Sequence, residues 1–193
     1  MLIGIAGRPA AGKETITGFL RNKGFTYNET SKLLREELEK QGKEITRTSM
    51  QDIADGWREK HGAGGVMKKF LEVLDLNKNN IIDSLRNVGE AEFLKNNVND
   101  FILIAVEAPR KLRFERTLSR GKESDPKTWE EFVKVDERDN FDSANPMGQQ
   151  TGKLIEIADF VIVNDKDLND AMVQIEKIWE KIQLKGKSTV KKP

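Results

Sequence analysis

Five short apolar runs punctuate a chain otherwise dominated by helical spacing. Leu2–Ala6, Gly24–Tyr27, Asn80–Ser84, Phe101–Val106 and Asp159–Val163 are each too short for a buried helix, and they predict strands. The run Phe101-Ile-Leu-Ile-Ala-Val106 is apolar throughout instead of alternating, as expected where helices cover both faces of a parallel sheet. Between the runs, Met50, Ile53, Ala54 and Trp57 recur at i, i+3, i+4 and i+7, and Leu168, Met172, Ile175, Trp179 and Ile182 form one stripe on a long closing helix. Both stripes predict helix faces turned to the core. Asp125 before Pro126, Asn145 before Pro146, and Asp167 each place a side-chain acceptor at a predicted helix start. The fold class is α/β, with five parallel strands alternating with helices.

Two segments exceed simple crossovers. Residues 30–74 are mainly helical, residues 121–150 are polar and charged, and both read as mobile insertions over the sheet. Lys185–Pro193 carries four lysines and no apolar periodicity, which predicts a solvated tail. At 193 residues the chain suits one domain with insertions better than two domains. The expected division is a domain over 1–183 and a basic tail over 184–193. Within the domain, 1–29, 75–120 and 151–183 form the core.

Composition narrows the chemistry. Lys plus Arg number 33 against 32 Asp plus Glu, a net charge of +1, which removes the electrostatic case for a dedicated nucleic-acid binder or an anionic-membrane binder. With no cysteine and a single histidine, His61, there is no thiolate nucleophile, no Cys-ligated metal and no two-His metal site. No stretch reaches the length of a membrane span, and Leu2–Ala6 is too short for a signal-peptide core, so the expected location is the cytoplasm. A monomer and a homodimer are both compatible with the sequence.

Gly7-Arg8-Pro9-Ala10-Ala11-Gly12-Lys13 has the spacing G-x-x-x-x-G-K and lies between the first predicted strand and a helix carrying Ile16, Phe19 and Leu20 on one face. Glycines let the backbone curl so that its amides point inward. Lys13 adds a mobile cation, and the helix that follows adds its positive end, so the segment is a cradle for a polyphosphate. Gly7, Ala10, Ala11, Gly12, Lys13, Glu14 and Thr15 are therefore candidate ATP-binding residues. Glu14 stands where a magnesium-ligating Ser or Thr is usual, and Thr15 follows it. A carboxylate there suits the helix dipole yet repels a phosphate unless it points away. Asn77-Lys78-Asn79-Asn80 lacks the aspartate of a guanine-binding motif, which disfavours a switch GTPase.

On these residues the chain resembles the nucleoside monophosphate kinase group of P-loop kinases. It looks closest to an archaeal-type branch related to adenylate kinase and dephospho-CoA kinase. The resemblance spans about Leu2 to Gln183 and implies the three-layer sandwich of that group, with an acceptor-binding insertion (30–74) and a lid (121–150). Ser31-Lys-Leu-Leu-Arg35-Glu-Glu resembles the acceptor helix, so Arg35 is an acceptor-phosphate candidate. Asp83-Ser84-Leu85-Arg86 resembles the strand-end Asp-Gly-x-Pro-Arg element, one residue shorter. It implies that Asp83 organises magnesium through water, beside Thr15, and that Arg86 reaches phosphate.

Arg113, Arg116 and Arg120 fall on one helix face and point three guanidiniums the same way. The family match falls on Arg120, and Arg116 and Arg120 are candidate ATP-binding residues. Asp136-Glu-Arg138-Asp139 resembles the lid, with Arg138 carried onto the transferring group. Arginine suits that task because its planar fork stays charged and binds phosphate oxygens in pairs. Asn164, after the last strand, resembles the residue bordering adenine. Lys13, Asp83, Arg120 and Arg138 are the implied catalytic set, and ATP and Mg2+ the implied cofactors.

In the insertion, Arg47 and Arg58 are further acceptor-phosphate candidates, and Gln51 could read a base by its amide edge. His61, before Gly62, fits helix-end chemistry. Trp57, Trp129 and Trp179 sit on apolar stripes and predict packing. The expected reaction moves the γ-phosphoryl of ATP to a nucleoside or deoxynucleoside monophosphate. The alternatives are dephospho-CoA kinase chemistry or an ATP-binding module without transfer. No aspartate directly follows the first strand to serve as a base for a hydroxyl, which favours the monophosphate.

Overall fold

The computed structural model describes residues 1–121, 125–141 and 148–188, with backbone alone for Arg47, Thr48 and residues 185–188. Strands β1 (Leu2–Gly7), β2 (Thr26–Glu29), β3 (Asn80–Leu85), β4 (Phe101–Glu107) and β5 (Phe160–Val163) form one parallel sheet in the order β2-β3-β1-β4-β5. Helix α1 (Lys13–Asn22) follows β1. Helices α2 (Thr30–Lys40), α3 (Arg47–His61) and α4 (Gly65–Leu71) follow β2, and α5 (Val88–Asn97) follows β3. After β4 come α6 (Arg110–Arg120), α7 (Trp129–Asn140) and α8 (Thr151–Glu156), and α9 (Leu168–Ser188) closes the chain.

Alternate side chains of each central strand feed different layers. Ile3, Ile5, Ile81, Ile104 and Val106 pack with Ile16 and Leu20 of α1 and with Ile175, Ile178 and Ile182 of α9. Leu2, Ala6, Ile82, Leu85 and Leu103 pack on the other face with Ala54, Met67, Phe70, Leu94 and Leu154. Each fully buried Leu or Ile of this kind stabilises the fold by about 1.5–3 kcal/mol. Three layers result, and every strand ends on the same edge of the sheet, where parallel α/β folds place their ligands.

Several local expectations change. The second strand begins at Thr26, later than predicted, because Gly24 adopts φ 87° in the turn that ends α1. Helix α7 is capped by Thr128, whose hydroxyl accepts from the Glu131 N–H while Glu131 bonds back to the Thr128 N–H, so Asp125 is released for another partner. Asn145 lies outside the described residues. Asp167 does cap α9, accepting from the Asp170 N–H at 2.9 Å. The α9 stripe starts later than predicted, since Leu168 is 66% exposed, while the helix itself runs on to Ser188 inside the expected tail. Trp129 is 40% exposed, stacks on Phe132 and meets Phe114 edge-on in a satellite cluster outside the main core.

Helix α7, inside the expected insertion, makes buried contacts with α6. Arg113 of α6 is fully buried and donates through both terminal nitrogens to Asp136 of α7, itself 1% exposed, while Arg110 Nε donates to the same carboxylate at 2.9 Å. Arg113 Nε is satisfied by the Ala108 carbonyl at 3.0 Å. The guanidinium also lies over the Phe132 ring. Within the described residues, α7 is thus anchored to α6 by charge and by aromatic packing.

Candidate functional site

The segment from Gly7 to Lys13 wraps the end of β1 and opens into α1. Gly7 has φ 151°, and a Cβ there would lie 2.5 Å from the Val106 carbonyl oxygen. Gly12 has φ 96° as the cap of α1, and a Cβ there would overlap Asn164 Nδ2. Both positions therefore require glycine for conformation and for space. Ala10 also takes a positive φ, and Ala11 is buried. Lys13 Nζ folds back to donate to the Gly7 carbonyl at 3.1 Å. Burial holds the Lys13 ammonium below the usual lysine range, opposed by the nearby Asp83 carboxylate.

The cradle's outer wall is cross-braced. Asn164 Nδ2 donates to the Ala11 carbonyl at 2.8 Å, and Arg116 reaches the Ala11 and Asn164 carbonyls and Asn164 Oδ1 at 3.3–3.4 Å. Arg116 and Asn164 thus position the loop itself. Arg8 Nη2 donates to Asn140 Oδ1 at 2.7 Å, tying the cradle to the end of α7. Thr15 lies on this side, beside Gly12, Val106 and Asn164. Glu14 is exposed on α1, which answers the expected conflict with a phosphate.

Across the sheet edge, β3 bulges between its pairings with Ile5 and Ala6, and the extra residue, Ser84, has φ 65°. The bulge re-aims the strand end from which Asp83 and Arg86 project. Asp83 Oδ2 accepts from the Tyr27 hydroxyl at 2.8 Å, while Oδ1 is buried with no hydrogen-bond partner among the described residues. Burial first, and then this bond to Asp83, push the Tyr27 phenol above its usual range.

Asp83 lines a cavity of about 740 Å³ between α2–α4 on one side and α6–α7 on the other. Arg86, Arg120 and Arg138 line it too, as do Gln51 and Arg58 of α3. Arg120 forks onto Asp125 at 2.9 and 2.6 Å, Arg86 donates to Gln149 at 3.2 Å, and Arg58 bridges Asp55 and Glu90 at 3.0 and 3.1 Å. Arg35 is exposed on α2, away from this lining. The Arg47 side chain lies outside the described residues.

The helical stripe Arg113, Arg116, Arg120 is real in spacing, yet its guanidiniums go to three destinations: the buried Asp136, the cradle wall and the cavity rim. Sequence reasoning missed Tyr27, Glu29 and Thr30. All three line the cavity from β2 and the start of α2. Glu29 pairs in register with Asp83, so a carboxylate does stand at a strand end beside the cradle, on the second strand instead of the first. The predicted second strand stops at Tyr27, short of Glu29, because the apolar run ends there. Among the described residues, no helix is long and apolar enough to cross a membrane and no cluster of three or more His, Cys, Asp or Glu is arranged to hold a metal.

Comparison with known proteins places this geometry. A family model described as an AAA domain matches residues 3–141, which contain the cradle, Asp83 and Arg138. A UPF0200 protein of Pyrococcus horikoshii is 31% identical over 188 residues, covering 94% of this chain and 97% of the relative. Another, of Sulfurisphaera tokodaii, is 32% identical over 181 residues with coverage of 94% and 97%. Among solved structures, a shikimate kinase from Bacteroides thetaiotaomicron superposes with a TM-score of 0.60 at 14% identity, covering 95% of this chain and 98% of that one, a likeness of fold alone. The sheet, the cradle at its edge and relatives alike over nearly their whole length converge on one assignment: the chain has the α/β fold of P-loop kinases and belongs to the UPF0200 family.

Proposed function

We propose that the protein is an ATP-dependent phosphotransferase that moves the γ-phosphoryl group of ATP to a small acceptor docked beneath α2–α4. The meeting of the Gly7–Lys13 cradle with Asp83 carries this reading. A glycine-bounded loop opening into the N-terminus of α1 and a half-buried lysine suit a polyphosphate seat, and near that lysine lies a buried Asp83 oxygen that no described residue satisfies. Such an oxygen fits magnesium or its bound water, and the carboxylate's other oxygen is already fixed by Tyr27. Magnesium, when bound, neutralises charge on the phosphates.

The chain's own residues supply the rest. The cradle amides and Lys13 hold and align the triphosphate. Asp83 carries the metal's waters, since Thr15 sits on the far wall with Asn164. Arg116 and Asn164 keep the loop in shape behind the nucleotide. Arg120 and Arg138, at the rim, take up charge on the transferring group, and Arg86 reaches the same space from β3. An arginine placed this way is worth roughly a thousandfold to a hundred-thousandfold in rate. With Glu14 exposed, its carboxylate does not contest a phosphate in the cradle.

Support for a nucleoside monophosphate as acceptor is thinner. Of Arg35, Gln51 and Arg58, only Gln51 and Arg58 reach the cavity, and Arg58 is engaged by two carboxylates. ADP release from ATP and magnesium, with and without acceptors, tests the reading. Lys13→Ala should fall to background, and Asp83→Asn should weaken magnesium dependence while still binding ATP. Wild-type turnover in Lys13→Ala would refute it.

A further inference from the structure

The acceptor end of the cavity has a chemical bias of its own. Beneath α2 and α3, and beside the ends of β2 and β3, the described residues present four carboxylates, Glu29, Asp55, Asp83 and Glu90, against two arginines, Arg58 and Arg86. Glu90 cannot turn away: its side chain is 4% exposed and also accepts from the Arg86 and Asn87 N–H groups at 2.9 and 3.3 Å, as the capping box of α5. Arg58 is therefore held by Glu90 from one side and Asp55 from the other. A phosphate dianion would compete with both for that guanidinium, and would also approach the like charge of Glu29.

The polar atoms left over point the same way. Thr30 Oγ1 is buried, lines this end and has no hydrogen-bond partner among the described residues, whereas the unpartnered Asp83 Oδ1 is the oxygen that would face the metal's water. Glu29 accepts from Ser31 Oγ at 3.1 Å and also lies within reach of the Tyr27 hydroxyl that bonds Asp83, and Arg58 Nε is a buried donor without a partner among the described residues. Carboxylate oxygens only accept, whereas a hydroxyl both donates and accepts. With four carboxylates in its wall, this end is matched by a ligand rich in hydroxyl or amino groups. A phosphate dianion offers such a pocket no donors at all.

We infer that the acceptor is a hydroxyl-rich molecule, uncharged or cationic at its reacting end, and that Glu29 receives the proton of the hydroxyl that is phosphorylated. This inference rests on the phosphotransfer reading above. In the step, the acceptor oxygen forms its bond to the γ-phosphorus, and the bond from that phosphorus to the β,γ-bridging oxygen breaks. The electron pair of that bond leaves with ADP, and the acceptor proton passes to the Glu29 carboxylate. Glu29 stands opposite Asp83 in the β2–β3 register, so the base, the metal-organising carboxylate and the cradle share one edge of the sheet.

ADP release by the full chain with ATP and magnesium tests it in three arms. These are neutral polyols (glycerol, ribose, myo-inositol), an amino-polyol (glucosamine), and dianions (AMP, ribose 5-phosphate). At least one polyol or the amino-polyol should raise ADP release above the Lys13→Ala background, and the dianions should not. Glu29→Gln should lower the stimulated rate by about 100-fold, the size of a general-base contribution, with ATP affinity unchanged. Stimulation by dianions alone, by no compound in the panel, or undiminished in Glu29→Gln overturns the inference. ATP affinity separates the two levels: if wild type binds ATP and Lys13→Ala does not, the cradle stands and only the acceptor assignment has failed. If wild type does not bind ATP, the phosphotransfer reading has failed first.

Discussion

Replacing Asp136 with Asn removes the anion that neutralises the most deeply buried cation described in the molecule. Arg113 is fully buried, Asp136 is 1% exposed, and three charge-assisted hydrogen bonds from Arg113 and Arg110 converge on the carboxylate. Breaking one side of such a pair leaves an uncompensated charge and costs about 3–5 kcal/mol. Asn keeps one acceptor oxygen but turns an amide NH2 toward a guanidinium, so the loss should lie near 3 kcal/mol, with Asp136→Ala near 5. For a domain of this length the corresponding fall in Tm is about 6–20 °C. The discriminating variant is the double replacement Arg113→Met with Asp136→Leu. It removes both charges, keeps apolar volume against Phe132, and should return to within about 1 kcal/mol of the parent or exceed it. Urea titration followed by tryptophan fluorescence reads all three variants. A single-variant loss below about 1 kcal/mol, or a double variant as damaged as Asp136→Ala, would refute the reasoning that a buried, uncompensated charge dominates here.

The same pair sets an acid limit. The Asp136 carboxyl is held below the usual carboxylate range: burial opposes the shift, and its hydrogen bonds and proximity to Arg113, with Arg8 and Arg110 nearby, outweigh burial. Its stabilisation is therefore fully present above about pH 4, the unfolded value, and is lost as the pH falls through the lower folded value. Denaturation midpoints from pH 6 to pH 2 should fall more steeply in the parent than in Asp136→Asn, and parallel curves would contradict the assignment. In the cradle, Gly12→Ala places a side chain at φ 96° and onto Asn164 Nδ2. Left-handed strain alone costs about 1–2 kcal/mol, so ATP affinity should drop by roughly tenfold or more. Unchanged affinity, measured by calorimetry, would show that Asn164 does not hold the loop.

What could be read in advance follows from how far apart the partners lie in the chain. The strands β1, β3 and β4 declared themselves because a parallel strand covered on both faces must be apolar along its length. The cradle did so because its glycines, lysine and helix start are contiguous. The cap of α7 was legible too, since Thr128 and Glu131 have the spacing of a capping box, but Asp125-Pro126 offered a competing start three residues earlier. Helical periodicity correctly put Arg113, Arg116 and Arg120 on one face, yet it could not say that the face runs from a buried contact with α7 to the cradle wall and then to the cavity rim. The deciding partners, Asp136 and Asn164, lie 23 and 48 residues away from Arg113 and Arg116.

The acceptor end is the extreme of this problem. Glu29 belongs to a polar edge strand whose place beside β3 is a matter of topology, since β2 skips over β1 in the sheet order. Arg58 looked like a phosphate ligand because nothing within α3 showed that Glu90, 32 residues later, would claim it. A single sequence reveals the donor site, which is local backbone chemistry. It conceals the acceptor site, where side chains from several elements far apart in the chain meet and the sum of their charges decides what is admitted. For that reason the acceptor's class follows here from the carboxylates that surround Arg58, and not from the presence of an arginine in the insertion.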